Sequence, residues 1–262
     1  MHPALWISKT GLDAMQTDIS IISNNLANAS TIGYKKSRAV FEDLLYQNVR
    51  QPGTQSSQST TLPSGLMVGT GVKVTGTQKS FTQGTMQVTD NALDLAVNGR
   101  GFFGVLLPDG SPAYTRNGQF GLDQSGQMVT SGNGYVLQPA ITIPSDATSV
   151  TIGADGSVSV TQAGSATPSI IGNIQLVDFV NPMGLQPNGE NLYLETGASG
   201  SPTTGNPGLS GLGSLLSGAL ESSNVSVVEE LVGLIETQRS YEMNAKVISA
   251  VDSMLSYINQ TL

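Results

Sequence analysis

The chain has 262 residues, of which only 11% are charged, with 31 glycines, no cysteine, one histidine and a formal net charge of -8. That balance excludes a nucleic-acid binder built on clustered cations, a disulfide framework and any thiolate metal site. A surface so poor in charge repels its own copies weakly, which suits a protein that packs against itself.

Leu5, Leu12, Ile19 and Leu26 recur every seven residues, with Met15 and Ile22 in the alternate seam and Ser8 interrupting it. The pattern predicts a coiled-coil-type helix over 4–28. The apolar stretch Ala4–Ile7 is short, has no basic flank before it and is followed by Lys9, so no cleavable export signal is expected. No apolar run approaches the ~18 residues that a membrane span needs.

Asn24-Asn25-Leu26-Ala27-Asn28-Ala29-Ser30-Thr31-Ile32-Gly33-Tyr34-Lys35 then supplies a helix stop and a turn, because Asn and Gly tolerate left-handed backbone and Ser and Thr bond locally. The stretch reads as a hinge. The cations Lys35, Lys36 and Arg38 read as a solvated helix end or loop. Ala39 to Tyr46 is a short apolar element of either type. Residues 47–71 carry Pro52, Gly53, Pro63, Gly65, Gly69 and Gly71 among Gln, Ser and Thr, the composition of a loop or extended arm.

From Val72 to Tyr193 the signals are β. Val72 and Val74 alternate, as do Leu93, Leu95 and Val97, Ile141 and Ile143, and Val158 and Val160, with Asp109-Gly110, Asn117-Gly118 and Asp155-Gly156 as tight-turn pairs between runs. An antiparallel sheet or barrel-like body is expected, with a smaller β unit over about 141–195. Gly197–Gly218 returns the chain to a long helix over Val225–Leu262. There Tyr241, Ala245, Ile248, Val251, Leu255, Ile258 and Leu262 mark one stripe, Ser222, Ser223 or Asn224 can cap the start, and Glu229 and Glu230 favour the N-terminal dipole.

Chemistry is sparse. Gly99-Arg100-Gly101-Phe102-Phe103-Gly104 spells a dinucleotide fingerprint, but Val105-Leu106-Leu107-Pro108 continues as a strand and not as a helix able to receive a pyrophosphate, so a hairpin or bulge is expected. His2 is the lone histidine and builds neither a triad nor a metal site. Asp90 with Asp94, and Glu229 with Glu230, are the available carboxylate pairs. Adjacent helix residues do not share a face, and nothing electrophilic surrounds Asp94. No catalytic residue, cofactor or metal is therefore expected.

These residues resemble the rod and hook family of the bacterial flagellar basal body. Asn24, Asn25, Leu26, Ala27, Asn28, Thr31, Gly33, Tyr34 and Lys35 are similar to its N-terminal signature. Leu220-Glu221-Ser222-Ser223-Asn224-Val225, Glu229-Glu230-Leu231-Val232 and Gln238-Arg239-Ser240-Tyr241-Glu242-Met243-Asn244 are similar to its C-terminal one. Leu93-Asp94-Leu95-Ala96-Val97, Gly99, Gly101, Phe102, Phe103 and Tyr114-Thr115-Arg116-Asn117-Gly118 match its β-domain pattern. Phe41-Glu42-Asp43-Leu44-Leu45-Tyr46-Gln47, the arm and the overall length resemble the distal-rod branch.

The resemblance implies a mixed α and β fold whose terminal helices pair as a coiled coil around an inserted antiparallel β-rich body and an extended arm. The expected segments are an assembly helix with hinge (1–34), an arm (35–71), a β body (72–220) and a second assembly helix (221–262). The expected assembly residues are Leu5, Leu12, Met15, Ile19, Ile22, Leu26, Leu234, Tyr241, Ala245, Ile248, Val251, Leu255 and Ile258, with Met15, Val247 and Met254 left over for identical neighbours. The implied role is a hollow helical homopolymer that carries torque across the periplasm. Its implied partners are itself, proximal-rod proteins, the hook protein, the outer ring proteins and the flagellar type III export apparatus. A proximal-rod or hook subunit is the nearest alternative. A secreted β-rich adhesin or glycan-binding module belongs to another class, and leaves the stripes at both termini unexplained.

Overall fold

A computed structural model describes residues 3–53, 55–57, 60–61, 63–163 and 167–261. His2 and Leu262, named above, lie outside the described residues. The chain forms two compact units. The first holds Met1–Ala27, Ser37–Lys79 and Ser226–Leu262, and the second holds Asn28–Lys36 and Ser80–Val225.

The first unit contains both helices, α1 (Pro3–Ala27) and α2 (Val227–Thr261). Each lies within two residues of its sequence-predicted span, since a long 3.6-residue period needs no tertiary information to be recognised. Glu229 and Glu230 occupy the first turn of α2, as the dipole favours. Its 35 residues span about 52 Å at 1.5 Å each. The helices touch at Gly11 with Asn244, Asp18 with Thr237, Ile22 with Gly233 and Asn25 with Glu230. The numbers descend on one helix as they rise on the other, so the helices run antiparallel, and both sets advance by steps of seven, four and three. The buried residues of α1 are Ser8, Ala14, Ile22 and Asn25, mostly small side chains that let neighbouring backbone approach.

The rest of this unit is an antiparallel two-stranded ribbon in three paired stretches: Ser37–Asp43 with Val72–Lys79, Gln47–Arg50 with Leu66–Val68, and Gln55–Ser57 with Thr60–Thr61. The apolar stretch after Ala39 thus resolves as a strand as far as Asp43. Strand Val72–Lys79 has Ser37–Asp43 as its partner. Alternation in a sequence specifies a strand but not what the strand pairs with.

The second unit is built on a nine-stranded antiparallel sheet. Its central strand, Phe102–Leu106, pairs with Pro112–Thr115 on one edge and with Val136–Gln138 and Leu176–Asp178 on the other. Because side chains alternate across a strand, Phe103 enters the main core with Leu95, Met128, Leu137 and Val158, while Phe102 enters an aromatic cluster with Tyr114, Phe179 and Tyr193. Phe102 meets Phe81 edge-on at 5.4 Å, and Tyr114 meets Phe179 at 4.8 Å. Gly99 and Gly101 take φ of 116° and 128° in the turn that feeds this strand, so a strand and not a helix follows the glycine-rich hexad; it is not the expected hairpin, because Leu95–Asn98 pairs with Ser214–Ser217 and not with Phe102–Leu106.

Asp109-Gly110 and Asp155-Gly156 join paired strands. Asn117-Gly118 does not. The strands before and after it, Pro112–Thr115 and Phe120–Leu122, are separated in the sheet by Phe102–Leu106, Val136–Gln138 and Met128–Thr130. The three-stranded meander Ala147–Ile152, Ser157–Gln162 and Ser169–Asn173 sends Ile152, Val158 and Val160 into the main core, and Leu192–Leu194 belongs to the nine-stranded sheet. Residues 141–195 therefore share the core of the larger body and do not form a β unit of their own.

Candidate functional site

Lys35, read from the sequence as solvated, is completely buried in the second unit. Its Nζ donates to Glu221 Oε1 at 2.6 Å and to the carbonyl of Thr82 at 2.7 Å. Glu221, also fully buried, accepts two further donors: the Gly84 amide at 2.9 Å and Arg116 Nη1 at 3.3 Å. Arg116 in turn donates to the carbonyls of Gly99 (2.7 Å) and Val97 (3.4 Å), and its guanidinium lies 5.3 Å from the Phe102 ring centre. Two cations thus share one carboxylate in a dry site, and Arg116 Nε is buried there without a hydrogen-bond partner. Desolvation drives the Lys35 ammonium below the usual lysine value although Glu221 pulls it upward, and burial raises the Tyr193 phenol, on which Tyr34, Arg116 and Glu221 also act.

Lysine is almost never fully buried unless paired, and the pairing residue here stands 186 positions away in sequence. Lys36 and Arg38 remain near or at the surface. Asp94 is buried as well, but its carboxylate accepts from Thr89 Oγ1 and Asn91 Nδ2, a turn-forming arrangement and not an acid/base pair.

An asparagine ties separate stretches of chain together within each unit. In the first unit, buried Asn25 donates to the Ser37 carbonyl (2.8 Å) and accepts from the Ser37 amide (2.9 Å), closing the loop that leaves at Ala27 and returns at Ser37. In the second, Asn224 accepts from the Lys36 amide at 2.8 Å and donates to the Ser80 carbonyl at 2.9 Å. Asn224 is therefore not the cap of α2. Ser226 precedes the helix and its carbonyl takes the Glu230 amide. Gly33 and Tyr34 are buried, Asn28 is half-buried, and Asn24, Ala27, Gln238, Arg239 and Glu242 are exposed.

Of the residues read as an assembly stripe, Ile22 is buried. Leu5, Leu12, Met15, Ile19, Leu26, Leu234, Ala245, Ile248 and Val251 are half-covered, and Tyr241, Leu255 and Ile258 are exposed. A second stripe lies elsewhere on α2. Val228, Val232, Ile235, Met243, Val247, Met254 and Tyr257 are 44–72% exposed and fall within an arc of roughly 120° at 3.6 residues per turn, which they share with Glu229, Glu236, Arg239 and Lys246, while exposed Val227, Leu231, Tyr241, Leu255 and Ile258 lie outside it. The contacts to α1 through Gly233, Thr237 and Asn244 lie outside that arc. The steps of four and three from Val228 to Ile235 were a legible signal, hidden because two apolar stripes on one helix blur each other's periodicity.

Three family models match: "Flagella basal body rod protein" over residues 6–35, "Flagellar hook protein FlgE/F/G D1 domain" over 96–160, and "Flagellar basal body rod FlgEFG protein C-terminal" over 216–261. Each of these segments supplies one member of the buried cluster, respectively Lys35, Arg116 and Glu221. Across almost the whole chain, the sequence is 56% identical to the flagellar basal-body rod protein FlgG of Buchnera aphidicola subsp. Acyrthosiphon pisum, covering 99% of this chain and 100% of that one. It is 47% identical to FlgG of Caulobacter vibrioides (98% of both chains) and 45% to FlgG of Borreliella burgdorferi (99% and 98%). The chain belongs to the FlgG family of flagellar basal-body rod proteins. As a member of that family it is a structural subunit and not an enzyme. None of its described helices is long and apolar enough to cross a membrane.

Proposed function

We propose that the chain polymerises through its two terminal helices into the hollow distal rod, the drive shaft that carries torque from the flagellar motor to the hook. The observation that carries this reading is the uncovered apolar arc of α2. One 35-residue helix exposes Val228, Val232, Ile235, Met243, Val247 and Met254 away from Gly233, Thr237 and Asn244, where α1 touches it. Glu229, Glu236, Arg239 and Lys246 fall among these side chains, so a subunit that stayed monomeric would keep separate apolar patches in water, each at a cost of about 25 cal/mol per Å². An identical neighbour is the occupant best matched to it, because so low a charge fraction sets little repulsion between copies.

The α1 and α2 faces that meet at matched steps of seven, four and three support a coiled-coil pairing, with Leu5, Leu12, Ile19, Ile22, Leu26, Leu234, Ala245, Ile248 and Val251 as its seam. In this reading residues 1–34 and 221–262 are the assembly segments, 35–71 together with its paired strand Val72–Lys79 bridges to adjacent subunits, and the rest of 72–220 forms the outer wall. Torque then passes through apolar seams that salt does not screen. The resemblance adds proximal-rod proteins, the hook protein and the outer ring proteins as neighbours, the periplasm as the site, and the type III apparatus as the export route.

Val232→Asp and Val247→Asp test this. Both lie on the free arc, so circular dichroism of the purified chain stays unchanged while electron microscopy of concentrated protein loses its rods and complemented cells lose swimming. Rods of normal length and normal swimming with both substitutions present would refute the assignment.

A further inference from the structure

The two most exposed methionines among the described residues both lie on the free arc of α2: Met254 at 64% and Met243 at 60%. Met67 and Met183 follow at 52% and 53%, Met128 is sealed in the core, and Met15 and Met86 are half-covered. Met243 also lines, with Val232, Ile235 and Arg239, a groove of about 380 Å³ along the arc. Thioether oxidation follows access to solvent, and it turns a flexible apolar side chain into a polar, chiral one.

We infer that Met243 and Met254 are peroxide-sensitive modification sites that control self-association. A hydroperoxide gives one oxygen to the thioether sulfur. The O–O bond breaks, an S–O bond forms, and the remaining oxygen leaves as water or alcohol, so sulfur loses the two electrons that the peroxide gains. Two sulfoxides then sit in the middle of a surface whose burial drives assembly. The α1-facing side of α2 contains no methionine, so the oxidised subunit keeps its helices and loses only its neighbours. Once assembled, the same sulfurs are covered, which confines the sensitivity to the free subunit. Because sulfoxide reduction restores the thioether, the effect is reversible.

This rests on the proposed self-association through α2, and the experiment separates the two. The full chain is treated with hydrogen peroxide, the sulfoxides are located by peptide mass spectrometry, and polymer is measured by sedimentation beside untreated protein and the Met243→Leu/Met254→Leu variant, which keeps volume and apolarity. The expected result is sulfoxide at positions 243 and 254 ahead of the other described methionines, loss of most sedimentable polymer, recovery with methionine sulfoxide reductase, and a double variant that assembles with or without peroxide. Untreated protein that never associates defeats the reading of the helix face. Untreated protein that associates, with the fully oxidised form associating equally, overturns this inference alone. So does a double variant that is still inhibited by peroxide.

Discussion

Replacing Glu221 with Gln keeps the volume of the side chain and removes its charge, leaving Lys35 buried without its carboxylate partner and Arg116 with only the attraction of Asp178. The side chains of Lys35 and Glu221 are 0% exposed and that of Arg116 is 4% exposed, so solvent screening offers no relief. Breaking a buried pair by removing one partner costs about 3–5 kcal/mol, a large part of the roughly 5–15 kcal/mol that holds a domain together. For a unit of this size, each kcal/mol shifts the melting temperature by about 2–4 °C, so Glu221→Gln should melt roughly 6–20 °C below the parent at pH 7. The loss should shrink as pH rises. Lys35 has a folded value below its ordinary 10.5, chiefly through desolvation, so it binds fewer protons folded than unfolded and its penalty on folding fades as pH climbs toward 10.5. Removing Glu221 takes away the main upward pull, so the folded value falls further and the variant starts recovering at lower pH than the parent does. Calorimetry of both proteins at pH 7 and pH 9 measures the gap. A variant within 2 °C of the parent at pH 7, or a gap that widens at pH 9, would refute the account of Lys35 as a charged, buried partner of Glu221.

At Gly118 an added Cβ would sit 1.6 Å from the Leu95 carbonyl oxygen, so Gly118→Ala should leave little folded protein, detectable as loss of near-ultraviolet dichroism, whereas Gly110→Ala, in open space, should remain folded and lose only about 1 kcal/mol through its positive φ. Asn25→Ala removes both hydrogen bonds to Ser37 and should cost about 2–3 kcal/mol, read as faster amide exchange at Ser37 with exchange at Leu95 unchanged; equal protection at Ser37 in both proteins would exclude Asn25 as the closure of that loop. Deleting residues 47–65 removes the outer stretches of the ribbon and should give curved or flexible rods in electron micrographs, and straight rigid rods would dispose of that role for the arm. Dilute subunit should exchange amides in α1 faster than in strand Phe102–Leu106, because the helix face lacks the neighbours that the sheet supplies to its central strand; full protection of α1 would contradict this.

Sequence alone determined what is written in short-range pattern. Heptad spacing placed α1, and the stripe from Tyr241 with the helix formers before it placed α2, within two residues of their ends, because a helix repeats its apolar side every few positions whatever surrounds it. Asp109-Gly110 and Asp155-Gly156 marked their hairpins because such turns are chosen by the residues inside them. The Asn-rich and Asn224-containing stretches also stood out by residue type. Only the tertiary structure decided what those residues do. Lys35 became a buried cation because Glu221 and Arg116 arrive from distant parts of the chain. Asn224 became a tie between Lys36 and Ser80 in place of a helix cap. Asn117-Gly118 turned out to lead to a distant strand and not to the next one, since strand order depends on which surfaces bury each other. Val247 and Met254 stood apart from the stripe in the sequence, but which side of α2 meets α1 was beyond periodicity: spacing shows that side chains share a face, and only packing shows which face is already taken.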